Sequence, residues 1–428
     1  MVLTGRLVLL AALGLVLAPI GVGALLVWTV VLAGLVAFDL TRAAAITRLE
    51  FARDPTPSLR LGADGESRLQ LVNLGSRIWR GRVRDAWVPS ADAAPREQRV
   101  SLAVGEGMTL VTRLTPNRRG ERRAVQLTVR STGPLGVAAR QRRQTLPGSV
   151  RVLPSFASRK FLPEKLARLR QIEGAVLMRQ RGRGSEFDSL REYVAGDDVR
   201  AIDWRASARA TDVMVRTWRP ERDRHVVLAV DTGRTSAARI GDEPRLDAAL
   251  DACLLLAAVA SRAGDRVALV AADVVVRARL GSAGGAEVLP KLVAALAPLE
   301  PALVETDPQL LAGEVLNQVS KRSLVVLFGA LDSASAESGL LLSVRRLSLR
   351  HQVVVASVAD PRLTELSGAR ANSAEVYTAA AAEQALADRR SVSEQLKRLG
   401  ARVVDASPAT FAAEVTDAYL ELKAAGQL

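Results

Sequence analysis

Hydrophobic and polar positions change rhythm three times along the chain. After Arg6, the run from Leu7 to Phe38 carries no charged side chain. It predicts two apolar helices of about 15 residues, each about 22 Å long, broken at Ala18-Pro19-Ile20-Gly21. Such spans are short for a hydrocarbon core of about 30 Å and would thin the bilayer or end in its interface. Arg6 precedes the run and Arg42, Arg48 and Arg53 follow it, which places both ends on the cytoplasmic side. A single tilted span is the alternative. A cleaved signal peptide fits less well, because the run is long and lacks a clear small-residue cleavage site.

The second rhythm is period two. Ser67 to Leu74, Val100 to Val104, Met108 to Leu114 and Ala124 to Arg130 alternate apolar with polar residues. Turn residues separate them at 61–65, 116–120 and 132–136. About seven strands with such spacing predict a β-sandwich-like domain. The third rhythm begins at His225: continuous β-branched runs alternate with amphipathic stretches. Strands are predicted at 225–230, 266–271, 274–280, 323–328, 352–358 and 402–405. Helices are predicted at 245–262, 287–297, 309–320, 337–346, 362–366, 380–399 and 410–423. Strands apolar on both faces are those of an α/β doubly wound sheet. Between the second and third regions, 154–224 is polar, with one helix expected from Pro163 to about Glu173 and structured loop beyond. The expected organisation is therefore multi-domain: an N-terminal transmembrane helical hairpin (1–45), the β domain (46–153), a polar segment (154–224) and the α/β domain (225–428).

Composition sharpens this picture. In 428 residues, 59 Lys and Arg face 45 Asp and Glu, for a net charge of +14. Between Glu50 and Leu153 stand 19 arginines against 9 acids. A basic domain beside a membrane anchor suits anionic lipid; nucleic acid is the other reader of such charge. Only Phe51, Trp79 and Trp87 interleave with those arginines, which argues against base stacking and against a specific nucleic-acid partner. The single cysteine, Cys253, falls in an apolar stretch and reads as core. No intrachain disulfide can form.

Asp231-Thr232-Gly233-Arg234-Thr235 follows the first strand of the α/β region, where open sheets of this kind bind ligands. It resembles the start of a von Willebrand factor A domain, whose metal site opens with Asp-x-Ser-x-Ser. That resemblance covers about 200 residues and implies a von Willebrand A-like (Rossmann-type) fold. It implies a cation such as Mg²⁺ held by Asp231 and Thr235, with Thr306 and Asp332 as the nearest matches to later ligands. The pattern is degenerate: Gly233 replaces the middle serine and Ala330 stands where an aspartate is usual.

The longest motif runs from Gly182 to Arg209. Its Arg183, Glu186, Asp188, Arg191, Tyr193, Gly196, Asp197, Asp198, Arg200, Asp203, Trp204 and Arg209 closely resemble the signature of domain-of-unknown-function family 58. Members of that family are commonly encoded beside MoxR-type AAA+ ATPases. The resemblance implies a membrane-bound adaptor that acts with such an ATPase and with client proteins, and allows other von Willebrand A-type membrane proteins as partners. Physically, alternating Asp and Arg at short spacing favours bidentate ion pairs. One reading is a structural clamp anchored by Trp204; the other is a recognition surface with Arg183, Arg191 and Arg200 exposed.

The two histidines, His225 and His351, stand at strand starts, opposite the usual site. The chain carries no Gly-x-x-x-x-Gly-Lys, Gly-x-Ser-x-Gly or His-Glu-x-x-His pattern. The expectation is an inner-membrane interaction protein with cytoplasmic domains and no enzymatic activity. The alternatives are a hydrolytic enzyme using the Asp/Arg cluster and a basic lipid- or nucleic-acid-binding protein.

Overall fold

A computed structural model describes residues 1–179, 186–195, 197–219, 224–241 and 243–428. The chain forms two compact units, Met1–Leu153 and Pro154–Leu428.

The first unit opens with helices α1 (Gly5–Leu13) and α2 (Val22–Arg42), joined by a 3₁₀ segment over Gly14–Ile20. The break falls where Pro19 and Gly21 predict it, Gly21 standing at φ 117° just before α2. The two helices are unequal, 9 and 21 residues, instead of two of similar length. Only α2, among the described residues, is long and apolar enough to cross a membrane. The Trp28 indole donates to the Leu10 carbonyl at 3.1 Å, tying α2 to α1.

Eight main strands follow: β1 (Leu49–Arg53), β2 (Gly65–Asn73), β3 (Trp79–Trp87), β4 (Gln98–Leu102), β5 (Gly107–Leu114), β6 (Gly120–Thr132), β7 (Ala138–Gln144) and β8 (Ser149–Leu153). One sheet contains β1, β2 and β5. The other is organised by the long β6, which pairs with β3, β7 and β8. Leu69, Leu71 and Leu110 from the first sheet meet Trp79, Val83, Leu127 and Val129 from the second in one core. Arg53 and Asp85 form a buried ion pair at 2.6 Å, with Arg53 also 5.1 Å from the Trp87 ring. β3 and β7 carry three arginines each, so their alternation is hidden in the hydropathy pattern.

The second unit begins with α3 (Leu162–Arg179), longer than the expected helix. Lys165 donates to Asp417 at 2.9 Å and fixes α3 to the last helix. The structured loop expected beyond α3 is in part a hairpin. β9 (Glu186–Glu192) and β10 (Met214–Arg219) pair as an antiparallel hairpin. The difference is physical: charged side chains occupy so many strand positions that no apolar face is visible.

The rest is a six-stranded mixed sheet: β11 (His225–Asp231), β12 (Arg266–Ala272), β13 (Val276–Ala283), β14 (Leu324–Phe328), β15 (Gln352–Val358) and β16 (Arg402–Ala406). Its spatial order is β13-β12-β11-β14-β15-β16, with only β13 antiparallel. The main helices described beside it are α4 (Arg245–Arg262), α5 (Val288–Leu296), α6 (Pro308–Gln318), α7 (Leu341–Ser348), α8 (Pro361–Gly368), α9 (Ser373–Arg398) and α10 (Pro408–Ala424). Alternate residues of β11 enter different cores. Val226, Leu228 and Val230 meet α4, α5 and α10. Val227 and Ala229 meet α6 and α7. Both faces are therefore covered, which explains the unbroken apolar runs. Helix starts follow local chemistry: Asp307 and Asp360 cap α6 and α8, each followed by proline at the first helical position.

Candidate functional site

Sheet order reverses between β11 and β14. Chain order runs outward to β12 on one side and to β15 on the other, leaving a crevice at the carboxyl ends. Asp231, the last residue of β11, stands there and is 7% exposed. Its Oδ1 accepts the Gly233 amide at 2.7 Å and the Thr306 hydroxyl; its Oδ2 accepts the Thr235 hydroxyl at 3.0 Å. Burial pushes this carboxyl above the usual carboxylate range, against the pull of Thr306, Gly233 and Thr235.

The loop after α5 is stitched over this point. The Arg234 amide donates to the Val304 carbonyl at 2.8 Å, and the Ala302 amide to the Thr232 carbonyl at 2.8 Å. Gly233 is demanded by space. A Cβ there would overlap Thr306 Oγ1 and come 2.9 Å from the Val304 carbonyl oxygen. Serine at this position would therefore hold Thr306 off the carboxylate. A pocket of about 30 Å³, room for roughly one water, borders Asp231, Thr235, Thr306, Ala330 and Ser338.

The structure thus brings together three of the four residues expected to hold a cation. Asp332 makes none of these bonds; its carboxylate caps the short helix after it, accepting the Ser335 amide at 2.7 Å. The converging set is one carboxylate and two hydroxyls, and neither Gly233 nor Ala330 brings a side-chain ligand. That set does not fit Mg²⁺, which takes near-octahedral oxygen coordination. Among the described residues, no group of three His, Cys, Asp or Glu side chains is placed to share a metal.

Beside this cluster, Thr232 donates to the buried Asp273 at 3.0 Å. Burial opposes ionisation of Asp273, but Arg277, the Val275 amide and Thr232 hold its carboxyl below the usual range. Two arginines escaped the sequence reading. Arg245, the first residue of α4, is lowered below the ordinary arginine value by burial and then by Arg389. It donates to the Thr235 carbonyl at 3.3 Å. Arg389, on α9, is buried and bonds Asp405 and, at 3.2 Å, Ser357. Arginine opening a helix, against the macrodipole, was the signal available for Arg245. A wider cavity of about 560 Å³ lies along the same edge, bordered by Asp360, Arg389, Arg390, Asp405 and Ser407.

The signature segment is built differently. Arg183 and Gly196 lie outside the described residues, and Glu186 and Asp188 are placed by backbone alone on β9. Arg191 donates to Asp197 at 2.6 Å, and Asp197 also accepts the Val194 amide at 2.9 Å. Asp198 caps the turn at Val199–Ala201. Asp203 accepts the Arg205 and Ala206 amides, both at 3.0 Å, and the Arg216 guanidinium at 2.8 Å. The Ala206 amide first, then Arg216, hold Asp203 below the usual carboxylate range. These acids clamp the hairpin. Trp204 corrects the expectation of an apolar anchor: it is 70% exposed. Tyr193 is also exposed, as are Arg191, Arg200 and Arg209.

A family profile described as "Protein of unknown function DUF58" matches residues 189–402, half of the chain. The chain belongs to the DUF58 family. The match takes in most of the signature hairpin and the sheet through the start of β16. An uncharacterized protein of Mycobacterium tuberculosis is 26% identical to the DUF58 chain over 187 residues, 43% of this chain. An uncharacterized protein of Mycobacterium bovis matches equally. The chain spans 58% of the length of these curated relatives. Among solved structures, a conserved hypothetical protein BatB from Bacteroides thetaiotaomicron aligns at TM-score 0.25 and 12% identity, over 41% of this chain and 98% of that one. Native alpha-2-macroglobulin from Escherichia coli aligns at TM-score 0.22 and 17% identity, over 26% of this chain and 17% of that one. Likenesses this weak carry no argument about fold or function.

Proposed function

We propose that this DUF58 protein is a membrane-anchored adaptor of the bacterial inner membrane. In this reading its second unit is a cytoplasmic von Willebrand A-like module, and its carboxyl sheet edge docks a MoxR-type AAA+ ATPase that acts on client proteins. The observation that carries the reading is Asp231 at the reversal of strand order, holding two threonines and a glycine amide.

Two features favour docking over hydrolysis. The carboxylate oxygens of Asp231 are committed to neighbours, with no histidine or cysteine among them. The exposed rim alternates charge: Arg234 pairs with Glu305, and Arg390 stands near Asp360 along the same edge. Such mixed rims give orientation and specificity between proteins. The Thr306 closure makes the cluster a rigid recognition feature that works without Mg²⁺.

The test is affinity capture of the full-length protein from its native membrane, with mild cross-linking and ATP. An AAA+ ATPase recovered with the wild type and depleted in Asp231→Ala supports the reading. Capture that yields no ATPase under either ATP or ADP refutes it.

A further inference from the structure

The N-terminal helices and the β6–β7 turn meet in a way the adaptor reading does not use. Asp39, near the end of α2, is fully buried. Its carboxylate accepts the amides of Leu135, Val137 and Ala138 at 2.8, 2.7 and 2.9 Å. A Cβ on Gly133 would overlap that carboxylate, so the turn closes tightly around it. The start of α1 grips the same turn. Thr4 donates to the Gly136 carbonyl at 2.6 Å, and Arg6 to the Leu135 carbonyl at 3.0 Å. Val2 and Leu3 add a short antiparallel pairing to β7. Both ends of the apolar pair are therefore fixed to one turn, at one level.

Just below that level lies a cavity of about 430 Å³ bordered by Arg6, Leu9, Leu10, Leu35, Leu135 and Val137. Leu35 is one helical turn before Asp39, and Leu9 and Leu10 are one turn after Arg6. Arg6 is the polar side chain at the cavity, with leucines beneath it. Arginine has five N–H donors, and the Leu135 carbonyl takes one from Arg6. The outer surface of α2 is apolar and exposed, with Val27 and Val30 66% and 71% exposed.

We propose that this cavity is a binding site for one anionic phospholipid of the surrounding bilayer. The Arg6 guanidinium holds the headgroup phosphate, and an acyl chain lies along Leu9, Leu10 and Leu35. The phosphodiester of an anionic headgroup suits the fork of an arginine better than that of a zwitterionic headgroup, whose own ammonium offsets the phosphate charge. The proposal rests on α2 lying in a membrane and is independent of what docks on the second unit.

The full-length protein is reconstituted into nanodiscs of equal phosphatidylglycerol and phosphatidylcholine, re-extracted in mild detergent and weighed by native mass spectrometry. The expected result is one retained lipid per chain, with phosphatidylglycerol favoured about tenfold, the size of one charge-assisted hydrogen bond. Arg6→Gln removes the preference, and Leu35→Trp, which fills the cavity, removes the retained lipid. Carbonate washing of membranes checks that wild type and variants stay integrated. Integration with no lipid preference, or a preference that survives Arg6→Gln, overturns the lipid site alone. Release of the wild type by carbonate overturns the membrane reading and the lipid site with it.

Discussion

Asp231 at the carboxyl end of β11 and Asp203 in the signature hairpin each collect three hydrogen bonds, yet their carboxyls shift in opposite directions. Asp231 takes one amide and two neutral hydroxyls in a nearly dry crevice, and burial raises it. Asp203 takes two amides and an arginine on an open hairpin, and those donors lower it. The number of bonds does not decide the charge. Solvent access and the charge of the donor do. The same residue type thus serves as a helix cap and ion-pair partner in one place and as a buried, hydrogen-bonded group in the other.

The sharpest way to break this contrast is at Gly233. Gly233→Ala should lower stability by about 1–3 kcal/mol through overpacking, read as a drop in melting temperature. Adding Thr306→Ala should restore more than half of that loss, because Thr306 Oγ1 is the atom overlapped. Additive losses would show that Thr306 does not close on the carboxylate.

Removing the buried carboxylate comes next. Asp231→Ala leaves two hydroxyls and an amide without their acceptor and should cost about 1–3 kcal/mol. Denaturant unfolding of the isolated variant in detergent reads it.

The pH dependence follows with opposite signs. Asp231 is raised from 3.8, so the folded state holds its proton longer than the unfolded chain. Its contribution is complete below 3.8 and is lost as pH rises through the raised value. Asp203 is lowered from 3.8, so its contribution is present above 3.8 and is lost as pH falls through the lowered value. Melts of Asp231→Asn and Asp203→Asn against wild type should therefore diverge in opposite directions across the acid range. Parallel curves would remove the distinction.

The smallest effect is expected at Trp204. It is 70% exposed, so Trp204→Ala should move stability by no more than about 0.5 kcal/mol. Asp203→Ala should instead speed amide exchange at Arg205 and Ala206, whose amides it caps. A large stability loss at Trp204 would restore it as an anchor.

The α/β region was the most legible part of the sequence, because each buried strand is an unbroken apolar run and each helix has a face. The α4 bounds, Arg245–Arg262, coincide with the expectation. Asp231, Thr235 and Thr306 were named through the resemblance to von Willebrand A domains, as cation ligands; the structure joins them by hydrogen bonds. Asp332 was named with them but caps a helix, because position in a loop does not tell a ligand from a cap. β7, β9 and β10 hid behind arginine and acid at strand positions. Arg245 and Arg389 were invisible because their burial depends on helices packing from distant parts of the chain. The unequal lengths of α1 and α2 arise from a 3₁₀ stretch that uses residues at a longer rise than an α-helix.

The central claim is that the Asp231 edge, and not the signature hairpin, meets the ATPase. A photo-crosslinking amino acid placed at Ser338, exposed beside the Asp231 pocket, is compared in native membranes with one at Trp204. With ATP present, the account predicts a crosslink to an AAA+ ATPase from position 338 and none from position 204. A crosslink from position 204 alone, or from neither, would contradict it.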